Sequence, residues 1–207
     1  MSYRNAALVG YSGHGCVVGE AAILQGFELK YYLNKTELQL NPYKLQYLGF
    51  EGSKEFQCWN IEFDCVLAIG DNSIRRRTAE LLLSRNKVLL NVVHPKAAIS
   101  KYFVQGMGNY IGANVTVNPF VNVGNYCILN TGCIIEHDCV IGDSVHIAPG
   151  AVLAGGVVVG NNSFVGANSV IKEGTIIGEN VTIGAGSVVL RNVENNKRIV
   201  GNPGRML

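Results

Sequence analysis

Fourteen consecutive positions, each six residues after the last, carry Ile, Leu or Val. They are Ile111, Val117, Val123, Leu129, Ile135, Ile141, Ile147, Leu153, Val159, Val165, Ile171, Ile177, Ile183 and Val189. A strict six-residue period without a gap predicts a parallel β-solenoid, in which stacked coils form one continuous core. Such a rod is rigid, so its outer surface can present a binding or catalytic site.

A second repeated position, four residues after each aliphatic, holds small or β-branched residues. Three of the six cysteines, Cys127, Cys133 and Cys139, occupy it, so we interpret them as core residues rather than as metal ligands. Glycine often follows the aliphatic, where a Cβ would crowd the backbone. Three hexads per coil predict a triangular turn of 18 residues, and the pattern covers about four and a half turns.

Residues 1–92 lack the six-residue period and show a hydrophobic pattern that is typical of βαβ units. We predict strands at Ala6–Val9, Phe27–Leu33, Asp64–Ile69 and Lys87–Val92, and helices at Val17–Leu24 and Asn72–Ser84, the second capped by Asn72 or Asp71. Residues 34–60 are mixed and receive no assignment. The alternation predicts a small Rossmann-like α/β domain over 1–92, and 93–207 form the solenoid and a C-terminal tail, with a poorly patterned lead-in from Val104 to Gly108.

Charge and hydropathy exclude several classes of function. The net charge of +2 does not indicate a nucleic-acid partner, and we interpret Arg75-Arg76-Arg77 as a solvated helix face. No apolar run is long enough to span a membrane. The N-terminus lacks the features of a signal peptide. We therefore expect a cytoplasmic protein with no membrane partner.

A glycine-rich segment, Gly10-Tyr-Ser-Gly-His-Gly15, stands between a predicted strand and a predicted helix. Amide groups at such a turn can hold a phosphate, although the motif is weak evidence for any one ligand. A dinucleotide prefers an acidic residue after the second strand, and Asn34 and Lys35 stand there instead. NAD is therefore disfavoured and a nucleotide or nucleotide sugar preferred. The candidate substrate-binding residues are Gly10, Ser12, Gly13, His14, Gly15, Asn34 and Lys35.

Two histidines, His137 and His146, lie within the repeat, and both are predicted to face outward. His137 is flanked by Glu136 and Asp138, either of which could orient the imidazole or raise its basicity. An imidazole with a pKa near ~6.5 suits a general base at neutral pH. The two histidines lie half a coil apart, so they should point to opposite sides of the prism. A head-to-tail ring of three subunits would bring them together in a cleft between subunits.

Several segments carry a resemblance to a known family. They are Gly10-Tyr-Ser-Gly-His-Gly15, Ala68-Ile-Gly-Asp-Asn-Ser-Ile-Arg75, His94-Pro95, Asn130-Thr131, Glu136-His-Asp138, His146-Ile-Ala-Pro-Gly150 and Gly201-Asn-Pro-Gly-Arg205. The chain resembles the bacterial nucleotide-sugar N-acetyltransferases that modify UDP-4-amino-4,6-dideoxy sugars, and it is equally similar to the sialic acid O-acetyltransferases. The resemblance implies a left-handed parallel β-helix of hexapeptide repeats, a homotrimer, and acetyl-CoA bound between subunits.

The resemblance also implies roles for single residues. His137 matches the general base, Asp138 the carboxylate that orients it, and Asn130 a residue near the acceptor amine. The implied cofactor-binding residues are His146 at the acetyl end, Gly155 and Ala167 along the coil backbone, and Arg205 at the nucleotide end. Members specific for UDP sugars often carry acidic residues at the positions of Asn34 and Lys35, which leaves the base open between UDP, dTDP, GDP and CMP.

The leading hypothesis is acetyl transfer from acetyl-CoA to the amine of a nucleotide-linked amino-deoxy sugar, preferably a UDP sugar, for surface-glycan biosynthesis, with no metal. Three alternatives remain at this point. The same residues could acetylate a hydroxyl of a sialic-acid-type sugar. A metal-dependent hydratase would need three imidazoles on zinc. A non-catalytic nucleotide-binding scaffold would need no base at all.

Overall fold

Residues 5–207, which the computed structural model describes, form an α/β domain followed by a parallel β-solenoid. The α/β domain is built on a four-stranded parallel sheet with the order β3-β2-β1-β4. Its elements are β1 (Ala6–Val9), α1 (Gly13–Gln25), β2 (Leu29–Leu33), β3 (Gln46–Gly49), a 3₁₀ helix at Cys58–Asn60, β4 (Asp64–Leu67) and α2 (Asn72–Ser84). The fold class predicted from the sequence is confirmed.

The two helices cover opposite faces of this sheet. Ala6 and Leu8 of β1 belong to the core that contains α1, whereas Ala7 and Val9 belong to the core that contains α2. Successive side chains of a strand point to opposite faces, so the all-buried β1 is the centre of both cores.

Both helix predictions are confirmed, the first with shifted ends. The second helix has its predicted bounds, and the Asp71 carboxylate caps it by accepting a hydrogen bond from a first-turn amide at 2.8 Å. The first helix begins at Gly13 rather than at Val17, so the glycine-rich segment supplies its first turn. The predicted strand Phe27–Leu33 begins at Leu29, because the chain before it is still closing the end of α1.

The prediction of a strand of the domain sheet at Lys87–Val92 is wrong. Within it, only Leu89 pairs with the sheet, through an isolated bridge to Cys65. Val92 instead opens the solenoid, where its amide donates to the Asn109 carbonyl at 2.8 Å. The run therefore connects the two regions, and turning into the first coil takes its backbone away from β4.

The solenoid has three faces, each a sheet whose parallel strands recur once per coil. Face 1 contains β5 (Val92–Val93), β8 (Tyr110–Ile111), β11 (Ile128–Leu129), β14 (His146–Ile147), β17 (Phe164–Val165), β20 (Thr182–Ile183), β22 (Arg198–Val200) and the antiparallel β23 (Arg205–Met206). Face 2 contains β6 (Ala98–Ile99), β9 (Thr116–Val117), β12 (Ile134–Ile135), β15 (Val152–Leu153), β18 (Val170–Ile171) and β21 (Val188–Val189). Face 3 contains β7 (Val104–Gln105), β10 (Asn122–Val123), β13 (Val140–Ile141), β16 (Val158–Val159) and β19 (Ile176–Ile177).

The predicted core of the solenoid is confirmed. Equivalent residues of adjacent coils lie 18 positions apart, as Asn125 and Asp143 do. All fourteen repeated aliphatics are buried, with at most 3% exposure, and the three repeat cysteines lie among them. A Cβ on Gly160 or Gly166 would stand 2.6 Å from backbone atoms of the next coil, so these positions require glycine.

The solenoid extends beyond both ends of the repeat seen in the sequence. The segment from Val104, predicted to be a poorly patterned lead-in, contains the regular strand β7, which pairs with β10 although its inward position holds Gln105. At the other end, the spacing between coils falls to 16 residues, as between Ile176 and Asn192. β23 then folds back on β22 and closes face 1.

Helix α2 makes polar contacts between the α/β domain and the solenoid. Arg75 donates hydrogen bonds to the carbonyls of Tyr126 and Ser144 at 2.6 and 3.1 Å, and Asn72 donates to two further solenoid carbonyls. Arg75 is only 1% exposed, so its predicted place on a solvated helix face is wrong, whereas its neighbours Arg76 and Arg77 are exposed. Satisfied donors explain how the guanidinium can be buried.

Candidate active site

A cavity of about 400 Å³ lies at the carboxyl ends of the four domain strands and against α2. Four of the predicted substrate-binding residues line it, namely Gly10, Ser12, Asn34 and Lys35. The carboxyl ends of parallel strands are where open α/β sheets bind ligands. The cavity is therefore the candidate nucleotide site.

Backbone conformation and close packing also require glycine at two positions of the loop after β1. Gly10 has a φ of 88°, and a Cβ there would stand 2.9 Å from Ile69 Cγ1. A Cβ on Gly15 would stand 2.6 Å from the Gly10 carbonyl oxygen. Gly13, by contrast, has open space around it. The loop is thus tightly folded against the cavity wall, and Gly13 is its unconstrained position.

Glu51, which the sequence analysis did not single out, also lines the cavity. It is 6% exposed, and its Oε2 atom is buried with no hydrogen-bond partner among the described residues. Burial raises the pKa of this carboxyl above its ordinary range. A buried acceptor without a donor calls for a partner that the chain itself does not supply.

His14, Asn130 and His146 meet where α1 packs on face 1. The rings of His14 and His146 lie 6.4 Å apart, and Asn130 Nδ2 lies 3.2 Å from His146 Nε2. Asn130 Oδ1 accepts a hydrogen bond from the Thr131 amide at 2.8 Å, which leaves Nδ2 as the donor toward the imidazole. The contact therefore selects a neutral His146 with its proton on Nδ1.

Both histidines of this buried cluster are neutral at physiological pH. Burial, and then the positive charge of Arg75, lower the pKa of His14 to about 4. Burial, Arg75 and His14 lower the pKa of His146 to about 4, which the Gly70 carbonyl opposes only in part. His146 points outward from its coil as predicted, but the α/β domain covers it and it is 9% exposed.

His137 occupies a contrasting environment at the corner between faces 2 and 3. Its Nδ1 donates to Asp138 Oδ2 at 2.8 Å, and both side chains are more than half exposed. The hydrogen bond to Asp138 raises the pKa of His137, with smaller contributions from Glu136 and Glu173. Glu136 accepts a hydrogen bond from Asn118 instead, so Asp138 is the carboxylate that orients the imidazole.

The predicted cofactor-binding residues do not form one group within the chain. Gly155 lies directly under the imidazole of His137, since a Cβ on it would stand 2.7 Å from His137 Cε1. Ala167 lies at the corner between faces 1 and 2, and Arg205 is exposed on the terminal strand β23. His137 and the buried cluster are themselves on opposite sides of the triangular coil.

Tyr110 is a further member of the buried cluster that the sequence analysis missed. Its ring packs edge-on against His14, with centroids 5.7 Å apart, and its hydroxyl has no hydrogen-bond partner among residues 5–207. Phe164 packs edge-on against His146. Outward positions of face 1 that carry Tyr, Ile, His and Phe at 18-residue spacing are a sequence signal for a covered face.

Residues 5–207 contain no group of three or more His, Cys, Asp or Glu side chains with the arrangement of a metal site. No helix in the same part of the chain has the length and apolar character needed to cross a bilayer.

Comparisons with known proteins agree with this geometry. Residues 5–82 match the PglD N-terminal domain, and residues 120–155 and 156–191 match the bacterial transferase hexapeptide repeat. A curated relative, the GDP-perosamine N-acetyltransferase of Escherichia coli O157:H7, is 34% identical over 83 residues, 40% of this chain. The matched region spans only 38% of that relative's length.

Solved structures match over the whole chain. The acetyltransferase domain of PglB from Neisseria gonorrhoeae FA1090 in complex with acetyl coenzyme A is 29% identical, with a TM-score of 0.91 and full coverage of both chains. PerB from Caulobacter crescentus in complex with CoA and GDP-perosamine is 27% identical, with a TM-score of 0.90 and 98% of its chain covered. The chain belongs to the hexapeptide-repeat transferases that carry a PglD-type N-terminal domain.

Proposed function

We propose that the protein transfers the acetyl group of acetyl-CoA to the amine of a nucleotide-linked amino-deoxy sugar. The observation that carries the proposal is the His137–Asp138 pair, an exposed imidazole whose Nδ1 is held by a carboxylate and whose Nε2 is free to accept a proton. Structural likeness to relatives solved with acetyl-CoA (TM-score 0.91), or with CoA and GDP-perosamine (TM-score 0.90), supports both substrates. The cavity of the α/β domain is a suitable nucleotide site.

In the proposed reaction, Nε2 of His137 accepts the proton that the amine loses as it attacks the thioester carbonyl. Asp138 holds the imidazole in the tautomer that leaves Nε2 unprotonated and stabilises the imidazolium that forms. The Asn130 amide is a candidate donor to the developing oxyanion. The imidazolium then protonates the departing thiolate, so no covalent enzyme intermediate is required.

We further propose that the site is shared between subunits of a homotrimer. Faces 2 and 3 carry outward aliphatic side chains, and Val140, Val170 and Ile176 among them are more than a third exposed. Rows of this kind are typical of a surface covered by a partner. His137 stands at the corner between these two faces, so covering either face brings a second subunit beside it. That subunit would supply the buried cluster of His14, Asn130 and His146.

For the nucleobase we propose guanine rather than uracil. Glu51 lines the cavity with an unpartnered carboxylate oxygen, and a carboxylate binds best to two adjacent N–H donors. Guanine offers such a pair on its Watson–Crick edge, whereas uracil offers one N–H between two carbonyl oxygens. The name of the curated relative, a GDP-perosamine N-acetyltransferase, agrees with this choice.

The test is a coupled assay of CoA release with acetyl-CoA and a panel of acceptors. We expect turnover with a GDP-linked 4-amino sugar, weaker turnover with its UDP counterpart, and none with a nucleotide sugar that lacks the amine. Turnover only with a sialic acid would establish the O-acetyltransferase alternative. Binding of the nucleotide without any acetyl-CoA-dependent product would establish the scaffold alternative.

A further inference from the structure

One buried side chain, that of Arg75, joins the cavity to the buried histidine cluster. Arg75 lies in the first turn of α2 and is 1% exposed. A guanidinium has five N–H donors in a fixed planar fork. The side chain makes five hydrogen bonds of 2.6 to 3.1 Å, to the carbonyls of Ile69, Gly70, Tyr126 and Ser144 and to the side-chain oxygen of Asn72. Its hydrogen-bonding capacity is fully used.

The acceptors belong to the cavity wall, to α2 and to the solenoid. Ile69 and Gly70 form one wall of the cavity, and both accept from Nη1 at 3.0 Å. Ser144, which accepts from Nη2, precedes His146 by two residues on the same coil. One planar group therefore sets the distance between the cavity wall and the strand that carries His146.

We propose that Arg75 is a positioning residue, which holds the Ile69–Gly70 wall in register with the His146 strand so that a bound nucleotide presents its sugar to the histidine cluster. The proposal rests on the function proposed above. Lysine cannot replace the guanidinium, because one ammonium group cannot reach five divergent acceptors. Methionine would fill the space but leave buried carbonyls unpaired.

The charge of Arg75 has a second consequence. Among residues 5–207, the titratable groups that face these two imidazoles are Arg75 from α2, Tyr110 from β8, and His14 and His146 themselves from α1 and β14. Arg75 is the one cation among them, and it lowers the pKa of both histidines after burial has done so. Geometry and charge can therefore be separated by two substitutions, one that keeps the charge and one that removes it.

The kinetic test compares Arg75→Lys with the exposed neighbour Arg76→Lys as a matched control. We expect Arg75→Lys to raise KM for the nucleotide sugar about tenfold or more, since misplacement by an ångström is costly, while KM for acetyl-CoA changes less than twofold. The control should leave both values unchanged. Equal changes in the two KM values of Arg75→Lys, or none, would overturn the proposal.

The spectroscopic test is an NMR titration of histidine-labelled protein, which has only four histidines. In Arg75→Met the pKa values of His14 and His146 should rise toward their ordinary range, and in Arg75→Lys they should rise less, with His137 unchanged in both. Unaltered values in Arg75→Met would contradict the role of the charge. This titration needs no turnover, so it tests the electrostatic effect of Arg75 on the two histidines even if the proposed acetyl transfer is not observed.

Circular dichroism establishes whether the Arg75 variants fold. If neither folds, Asn72→Ala is the second variant, because it removes one acceptor of Arg75 and two hydrogen bonds from α2 to the solenoid but keeps the guanidinium. It should raise KM for the nucleotide sugar severalfold with KM for acetyl-CoA unchanged. An unchanged KM for the nucleotide sugar in folded Asn72→Ala would overturn the proposal.

Discussion

The two histidine sites of this protein differ in almost every physical respect. His137 is exposed at a solenoid corner, and Asp138 raises its pKa. His14 and His146 are covered at the docking surface of the α/β domain, and burial with Arg75 lowers their pKa values to about 4. One site is suited to accept a proton near neutral pH, and the other to stay neutral and hold groups in place. The role of a histidine in this protein therefore depends on its surroundings and not on residue type alone.

Replacing His137 should have the largest effect on activity. We expect His137→Gln to lower kcat by roughly 10²–10⁴, because the variant has no group to accept the amine proton. Its Tm should match that of the parent protein, since the side chain is exposed. Steady-state kinetics with thermal denaturation measure both quantities. A kcat within threefold of the parent value would remove His137 from the mechanism.

His14 and His146 should dominate the pH dependence of the free energy of unfolding. Their folded pKa values of about 4 lie below the ordinary 6.5. The neutral imidazoles therefore stabilise the folded state above pH 6.5, and this contribution to the free energy of unfolding is lost as the pH falls toward 4. Each histidine then contributes at most about 3 kcal/mol. Urea unfolding at pH 7 and pH 4.5 should show a smaller pH difference in the His14→Gln/His146→Gln variant.

His94→Gln is the matched control for that experiment, because His94 lies outside the cluster. Parallel stability curves for the parent protein and the double variant would mean that the two imidazoles are not buried as described.

A smaller effect is expected from the carboxylate beside His137. In Asp138→Asn the pKa of His137 should fall, because the hydrogen bond to the carboxylate, which is the largest cause of the raised pKa, is lost. The acidic limb of the kcat/KM profile should then move to lower pH. The plateau should drop by about tenfold as the base weakens. An acidic limb that stays in place would assign it to a different group.

The smallest effect should come from the glycine under the His137 ring. Gly155→Ala adds a Cβ that would stand 2.7 Å from His137 Cε1, so the exposed ring must shift, and kcat should fall about three- to tenfold. Gly156→Asn is the control, because nothing lies within 4 Å of a Cβ there and asparagine tolerates the φ of 66°. Equal activity of the two variants would show that the ring position is unimportant.

The sequence predicted the solenoid far better than the docking surface. The aliphatic period and the small inward positions follow from stacking alone, so Ile135 and Cys133 were assigned correctly. The burial of Arg75 depends on carbonyls that the fold brings to it from distant segments. The local charge pattern of the sequence cannot predict these partners. The same reasoning applies to Glu51, which follows the end of β3 and is buried where the tertiary fold forms the cavity.

The contact between His137 and Asp138 was predictable from local sequence, because the two residues are adjacent. The grouping of His14 with His146 was not, since it requires knowing that α1 lies on face 1. Contacts within a repeat can be predicted from neighbouring residues in the sequence, whereas contacts between the α/β domain and the solenoid are determined by tertiary packing.

Subunit complementation tests whether one site is assembled from His137 of one subunit and the cluster of His14, Asn130 and His146 of another. His137→Ala and Asn130→Ala proteins, each expected to keep less than about 1% of the parent activity alone, are denatured, mixed in equal amounts and refolded. Random assembly should restore about one quarter of the parent activity, because that fraction of interfaces pairs two intact halves. A mixture that stays as inactive as its components would contradict the account.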